Sequence, residues 1–378
     1  MIEILVEGGH YEPKLMECSS DTTTERFHRN NRTCVSKGEF KPRSLLSISG
    51  VSARWVEINR YQINIVGRSE IKTFLQNHLS TNCMLEQEII QYIFHMLHRK
   101  GKIFKHDETY FSWGEFYAYV SSFRFDEDTC TQSVIAHAAA IELLILATDI
   151  FDEISDHDQS DEIISQLSIG ETVTIANAIM MEAFRLILHN SKTDVYEKFA
   201  IIIHELQNAC NGQWRDLHFV ISEHVPTEEE YFHLIQQKSS SLVKLVCELS
   251  DIHNQNIWGP IATDIGIAGQ LKNDAKDILS DYKSDLINQK ATLPFIKAVE
   301  YSFEKDNGWL LKKLRQLKAN DHNSLLMQEI KNYIRKTGAI DYCFILSKVY
   351  MNKAVDQLAA YFPEKQVQVN LLKSYLES

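Results

Sequence analysis

The chain has 378 residues, 44% of them hydrophobic, so it can bury a large core in one domain with or without an appendage. Its formal net charge of −12 excludes nucleic acid as a general partner, because binding to a phosphate backbone needs a basic surface. Only 14 glycines and 6 prolines interrupt it, which favours an all-α fold over a turn-rich β protein.

Residues 1–70 form a predicted N-terminal extension with a character of its own. Ser, Thr, Asn and Arg cluster in residues 18–43, and no helical stripe of apolar residues is sustained there. We predict that this extension is partly disordered, although the same composition also fits a small cap. From residue 71 onward the apolar residues recur with the helical period, so residues 71–378 are predicted to form a single helical domain. Breaks between its helices are expected where polar, Gly or Pro residues interrupt the stripe, at residues 99–108, 123–128, 189–194, 222–227, 254–260 and 280–294.

The first acidic segment closes a predicted helix over residues 131–156, which begins at the capping residue Thr131 and is rich in Ala, Leu and Ile. Asp149, Asp152 and Asp156 recur at spacings of three and four, so their carboxylates share one helix face. Acid at a helix C-terminus opposes the helix dipole, and like charges one turn apart repel, so the arrangement indicates a bound cation. Mg²⁺ is the preferred candidate, because it is held by a few carboxylates together with substrate phosphates. A solvated acidic helix end is the alternative.

The second acidic segment lies within residues 265–277. Gln270, Asn273, Asp274 and Asp277 fall on one face of a predicted helix, which repeats the design of the first segment. Two such faces are harder to attribute to chance than one. Residues 283–294 then form a predicted loop whose Lys283 and Lys290 are suited to the outer oxygens of a diphosphate.

The remaining signals concern the cellular setting. The seven cysteines form no CxxC pair and are too dispersed for a zinc cluster, so we expect reduced thiols. No stretch approaches the roughly 18 uncharged apolar residues that a membrane span needs. The first residues resemble no signal peptide. We therefore expect a cytoplasmic protein that does not span a membrane.

The order of the motifs over residues 85–378 resembles that of the trans-isoprenyl diphosphate synthases, the polyprenyl synthetase family. Between the two acidic helices lie Gly212-Gln213-Trp214-Arg215-Asp216-Leu217 and a helix carrying Lys238-Ser239-Ser240, where that family has a Gly-Gln-x-x-Asp-Leu motif and a Lys-Thr helix. The resemblance implies the helical bundle of the class I isoprenoid synthases, dependence on Mg²⁺, an allylic prenyl diphosphate as substrate and a homodimer, which is usual in that family.

The resemblance also implies roles for individual residues. The metal ligands would be Asp152, Glu153 and Asp156 in the first motif and Asn273, Asp274 and Asp277 in the second. Glu153 stands where the family has an aspartate, and Asp149, one turn earlier, could compensate for this change as a further ligand. The catalytic groups around the diphosphate would be Gln213, Lys238, Gln270 and Lys290, with Lys283 as a further substrate contact. The lining of the prenyl tail would be Ile141, Leu144, Ile145 and Thr148, residues that fit an ordinary bundle core equally well.

Two departures from the family pattern bear on the acceptor. The two adjacent arginines that follow the first motif are absent, and the upstream Gly-Gly-Lys-x-x-Arg-Pro has only Gly101-Lys102 with Lys105 as a substitute. Those basic groups hold isopentenyl diphosphate in the family, so a different nucleophile is expected to capture the geranyl or farnesyl cation. The ComQ-type branch, which prenylates a tryptophan of a bacterial quorum-sensing pheromone precursor peptide, has this profile, and residues 141–152 look like that branch. A class I terpene synthase and an elongating polyprenyl diphosphate synthase remain alternatives.

Overall fold

The computed structural model describes residues 65–99, 101–105, 111–124, 131–156, 164–191, 194–280, 285–319 and 324–377. These residues form helices and no β-strand, which confirms the all-α prediction. All but the last six residues of the predicted N-terminal extension lie outside them. The α-helices are α1 (Arg68–Asn77), α2 (Gln87–Leu97), α3 (Trp113–Ser121), α4 (Thr131–Asp156), α5 (Ile169–Asn190), α6 (Val195–His218), α7 (Glu228–Ile235), α8 (Ser241–Ser250), α9 (Gln255–Leu279), α10 (Asp285–Asn288), α11 (Leu293–Lys305), α12 (Trp309–Ala319), α13 (Ser324–Lys336), α14 (Ala339–Tyr361) and α15 (Gln366–Glu377).

Helix α4 forms the centre of the larger hydrophobic core. It packs along α5 and against α3 and α1, and most of its residues from Ile135 to Ile150 are buried. Its length of 26 residues and a mean hydropathy of 1.9 over its most apolar stretch meet the criteria for a membrane span, contrary to the sequence expectation. However, 89% of that stretch is buried against other helices, so the hydrophobicity of α4 serves the protein core.

Helix α9 carries the second acidic segment and differs from its predicted boundary. A break was expected over residues 254–260, but α9 begins at Gln255 and contains Pro260. A proline this close to the N-terminus of a helix removes few backbone hydrogen bonds. Trp258 and Ile261 on either side are fully buried, and their burial outweighs that loss. Further along, α9 packs against α8 and against the length of α14.

Helices α7 and α8 are joined by a single π-helical turn, Gln236–Ser240, which carries Lys238. Such turns insert an extra residue into a helix and occur often at functional sites. Two glycines from neighbouring helices pack against this turn. A Cβ atom on Gly212 of α6 would lie 2.3 Å from the backbone nitrogen of Lys238, and one on Gly266 of α9 would lie 2.4 Å from Cα of Ser240. The sequence therefore places α6 and α9 close to the turn by omitting two side chains.

Candidate active site

The C-terminal end of α4 meets a chain of alternating charges. Lys238 Nζ donates to Asp216 Oδ2 at 2.6 Å and lies 3.2 Å from Asp152 Oδ1. Lys290 Nζ donates to Asp156 Oδ2 at 2.5 Å and lies 3.3 Å from the same oxygen of Asp216. The five side chains come from α4, α6, the π turn and the segment after α10, and each is 12–20% exposed. Predicted metal ligands of the first motif and predicted diphosphate-binding lysines thus meet in one ion-pair network.

The charges of this network are fixed by their mutual proximity. Burial opposes ionisation of Asp216, but Lys238 and Lys290 outweigh it and lower the pKa of its carboxyl to about 2. Burial likewise opposes the charged form of both lysines, yet the surrounding carboxylates raise the pKa of each. Both lysines are therefore protonated over the physiological range, and Asp216 is ionised.

The first motif presents oxygen atoms suited to a cation. Oδ1 of Asp152 and Oδ1 of Asp156 are buried and accept no hydrogen bond from the residues that the structure describes. The ion pair with Lys238 at 3.2 Å partly compensates Asp152 Oδ1, whereas Asp156 Oδ1 loses its hydration without a described partner, and a divalent cation would supply one. Burial and the neighbouring Asp152 raise the pKa of Asp156, as expected of two carboxylates one turn apart. The chemistry and burial of these oxygens fit a divalent ion.

Asp274 of the second motif is rigidly held. Its Oδ2 accepts from the Tyr231 hydroxyl at 2.7 Å and its Oδ1 accepts from Gln270 Nε2 at 2.7 Å. Gln270 in turn accepts a short hydrogen bond from Ser239 of the π turn. Burial raises the pKa of Asp274 to about 6, and the nearby charges of Asp277 and Asp216 add to the shift.

The charged side chains at the ends of the two acidic helices are close enough to shift one another's pKa values. The charge of Asp216 acts on Asp274, and burial together with Asp277, Asp274 and Asp216 raises the pKa of Asp285 despite the opposing Lys290. Within the described part of the chain, however, no three acidic, histidine or cysteine side chains already converge on one point as a metal cage. Lys238 and Lys290 supply the positive charge between the carboxylates instead. A metal site here would be completed by a bound diphosphate and by movement of these lysines.

Lys290 is placed by backbone pairing. Val220 and Lys290 form an isolated antiparallel bridge, Ile221 N donates to the Gln289 carbonyl at 2.9 Å, and Ala291 N donates to the Phe219 carbonyl at 3.0 Å. Gln289 adopts a left-handed conformation with φ 52°. The segment therefore turns sharply before Lys290 and directs its side chain to the network.

The other predicted site residues have different surroundings. The amide group of Gln213 is buried near Asp216 and makes no hydrogen bond with described residues. Asn273 and Asp277 are half-buried on α9, and Lys283 lies outside the described residues.

Glu153 and Asp149, both predicted metal ligands, face a separate pair of basic residues. Arg99 donates to Glu153 through both terminal nitrogens, at 2.7 and 3.2 Å, and Lys102 forms a short ion pair with Asp149.

The predicted prenyl lining is deeply placed. Ile141, Leu144 and Ile145 are 0–1% exposed in the core around α4. Thr148 is half-buried and donates to the Ile145 carbonyl at 2.8 Å. Their role in holding a prenyl tail stays a prediction, because these contacts equally describe a packed bundle core.

Several residues of the site were not selected from the sequence. Asp216 joins both lysines although it was quoted only as part of the Gly212 to Leu217 motif, and its spacing of three from Gln213 is the signal that would have found it. Tyr231 and Ser239 support Asp274 and Gln270 through hydroxyl groups that lie far from them in sequence. No local pattern indicates those two contacts.

Glu142 gives the site a testable dependence on pH. It is 2% exposed on α4, its Oε1 accepts from Gly114 N at 2.7 Å, and burial raises its pKa from 4.5 to about 7. Since the folded pKa is the higher one, the folded state retains a proton that the unfolded chain loses, and stability falls as pH rises from 4.5 to about 7. This fall in the free energy of unfolding amounts to about 3 kcal/mol, and we expect it to be absent from Glu142→Gln. Urea unfolding at pH 5 and pH 8 measures it; an equal pH dependence in both proteins would contradict the assignment.

Comparison with known proteins adds the family context. Residues 87–334 match the family model described as polyprenyl synthetase. A geranylgeranyl pyrophosphate synthase of Claviceps paspali is 27% identical over 234 residues, covering 58% of this chain and 68% of that protein. The tryptophan prenyltransferase ComQ of Bacillus spizizenii is 30% identical over 168 residues, covering 43% of this chain and 58% of ComQ. The structure of a polyprenyl synthase from Caulobacter crescentus, complexed with calcium and isoprenyl diphosphate, superposes with a TM-score of 0.67 at 18% identity, covering 89% of this chain and 98% of that one.

Proposed function

Because this chain belongs to the polyprenyl synthetase family, we propose that it is a Mg²⁺-dependent prenyltransferase that ionises geranyl or farnesyl diphosphate and transfers the prenyl group to a tryptophan of a small peptide. Prenyltransferase chemistry is the activity of the family; the metal, the chain length and the acceptor are the proposal. The observation that carries it is the network in which Lys238, Lys290 and Asp216 join the two carboxylates of the first motif. These are the charges that a leaving diphosphate and its metal ions need.

The chain's own residues would act on the diphosphate as follows. Asp152, Asp156 and Asp274 would hold Mg²⁺, which supplies Lewis-acid neutralisation of the leaving group when bound. Lys238 and Lys290 would exchange their carboxylate partners for diphosphate oxygens, so each ammonium keeps a negative partner throughout. Gln270 stays oriented by Ser239 and keeps Asp274 in place. The apolar residues around α4 would exclude water from the allylic cation.

The prenyl group passes directly from the diphosphate to the acceptor, and no residue of the protein acts as a nucleophile. The C1–O bond of the prenyl diphosphate breaks with both electrons leaving on the diphosphate. A new bond forms between C1 and the nucleophilic acceptor atom, and the acceptor then gives up one proton to the departing diphosphate or to water. Lys238 and Lys290 stabilise the charge that develops on the leaving oxygen, which is the largest electrostatic change of the reaction.

The acceptor proposal draws on two observations. ComQ, similar to this chain over 168 residues, is a tryptophan prenyltransferase, and the family's arginines for isopentenyl diphosphate have no counterpart after the first motif in this sequence. A cytoplasmic setting and a quorum-sensing role would follow from such a peptide acceptor. Elongation remains the second candidate, because the geranylgeranyl pyrophosphate synthase of Claviceps paspali matches over a longer stretch.

The experiment that tests the proposal supplies purified protein with Mg²⁺ and farnesyl or geranyl diphosphate under three conditions: with a synthetic tryptophan-containing peptide, with isopentenyl diphosphate, and with no acceptor. We expect a prenylated peptide by mass spectrometry only in the first. A longer prenyl diphosphate would favour elongation, and a cyclic hydrocarbon without acceptor would favour a terpene synthase. Glu329→Gln, which removes one partner of the exposed ion pair with Lys313, is the matched control and should behave as wild type.

A further inference from the structure

A second row of acidic residues on α4 overlaps the first motif, because it includes Glu153. Glu142, Asp149 and Glu153 are spaced by seven and four residues, which places them on one face of the helix. Their side chains are largely buried: Glu142 is 2% exposed, Asp149 is 8% and Glu153 is 16%. Asp149 precedes Asp152 by one turn and Glu153 follows it directly. The row therefore adjoins Asp152, a proposed ligand of the metal that binds the leaving diphosphate.

Each carboxylate in this row has a partner from the connection between α2 and α3 or from the first turn of α3. Arg99 binds Glu153 through two nitrogens, Lys102 pairs with Asp149, and Gly114 N donates to Glu142. The bidentate geometry of the first pair is the strongest that a guanidinium makes with a carboxylate. Among the described residues of this connection, Arg99 and Lys102 are thus already neutralised by carboxylates of α4.

The charge of this face is unfavourable for a second diphosphate. The three carboxylates and two basic groups sum to −1 when Glu142 is ionised and to zero when it is protonated. To bind a second diphosphate, Arg99 and Lys102 would have to leave Glu153 and Asp149, and each buried carboxylate left behind would lose its partner. Breaking one partner from a buried pair is strongly unfavourable. At the first motif the proposed Mg²⁺ would compensate Asp152 and Asp156, but Asp149 and Glu153 have no such compensation, so a second phosphate would gain little from the exchange.

We propose that Asp149 and Glu153 are specificity-determining residues, which neutralise Lys102 and Arg99 and so restrict the acceptor to an uncharged nucleophile such as an indole. This inference rests on the proposed function, because it concerns the acceptor of the same reaction. The ion pairs Asp149–Lys102 and Glu153–Arg99 would cause the rejection of isopentenyl diphosphate, in addition to the absence of the two arginines after the first motif. Specificity by a repulsive or occupied site is a common means of excluding a competing substrate.

The test is the double substitution Asp149→Asn with Glu153→Gln, which keeps the shape of both side chains and removes the two negative charges that pair with Lys102 and Arg99. Isothermal titration with isopentenyl diphosphate should show binding at least tenfold tighter in the variant than in wild type, and radiolabelled isopentenyl diphosphate should enter product only in the variant. Glu329→Gln, at an exposed pair, should match wild type in both measurements. Circular dichroism establishes that each protein is folded, and Asp149→Asn alone, with a threefold gain in binding expected, replaces the double variant if the latter does not fold.

The outcomes separate this inference from the proposed function. If wild type releases no diphosphate from any allylic substrate, the proposed function fails. If wild type prenylates the tryptophan peptide and also incorporates isopentenyl diphosphate efficiently, only the inference fails. A folded variant that loses metal-dependent turnover and gains no binding of isopentenyl diphosphate also overturns the inference, and returns Asp149 and Glu153 to the metal-binding role predicted from the sequence.

Discussion

Asp274→Asn is expected to lower the turnover of farnesyl or geranyl diphosphate about 10²- to 10³-fold, because it removes one charge from the group that holds the leaving diphosphate. Asparagine has the shape of aspartate and can still bind the Tyr231 hydroxyl and the Gln270 amide that surround this side chain. The loss should therefore appear in catalysis and leave the fold intact. Release of inorganic diphosphate under saturating Mg²⁺ measures it.

Asp152→Asn should cause a loss of the same size, and the two substitutions together should cost less than the product of the single effects. Residues that serve one bound group act as a unit, so their effects are not independent. Asp356→Asn on the exposed face of α14 is the matched control and should retain full turnover. More than a tenth of wild-type activity in Asp274→Asn would show that this carboxylate is not part of the reaction site.

Gly212→Ala and Gly266→Ala are each expected to destabilise the protein by about 2–5 kcal/mol and to reduce turnover severely. The added methyl groups would approach the backbone of Lys238 and Ser240 to 2.3 and 2.4 Å, and a backbone cannot move aside as a flexible side chain can. Relief of either clash displaces the π turn and with it Lys238. Urea unfolding gives the free energy of unfolding, and diphosphate release gives the activity.

Gly170→Ala provides the control for these two glycines. Its nearest neighbour for an added Cβ is Ser168 Oγ at 4.0 Å, and it lies exposed in the first turn of α5, so the change should stay within about 0.5 kcal/mol. Wild-type stability in Gly212→Ala and Gly266→Ala would mean that α6 and α9 do not pack as closely against the π turn as the structure shows.

The sequence predicted the helices well, because their apolar period reports the buried face. Helix α4 was predicted over the residues that it occupies, from Thr131 to Asp156. The break expected over residues 254–260 lies earlier, between Ser250 and Gln255, since local breakers do not report the burial of Trp258 and Ile261. The π turn at Lys238 could not be predicted either, because it depends on how closely two glycines on other helices allow α6 and α9 to approach.

The acidic segments were found by spacing, but their partners were not. A spacing of three or four shows that Asp149, Asp152 and Asp156 share a side of α4, and it cannot show what faces them. The fold separates them, with Asp149 paired to Lys102 and the other two joined to Lys238 and Lys290. Each of these pairs spans at least 47 residues of sequence, so they follow from helix packing and not from a local pattern.

A crystal structure of the protein with Mg²⁺ and an unreactive thio analogue of farnesyl diphosphate would show directly whether the acidic helices bind the diphosphate. We expect carboxylate oxygens of Asp152, Asp156 and Asp274 on the metal ions, and Lys238 and Lys290 moved from Asp216 and Asp156 to the diphosphate. A diphosphate bound elsewhere, with Lys238 still paired to Asp216 and Lys290 still paired to Asp156, would contradict the proposal that the two acidic helices bind the diphosphate.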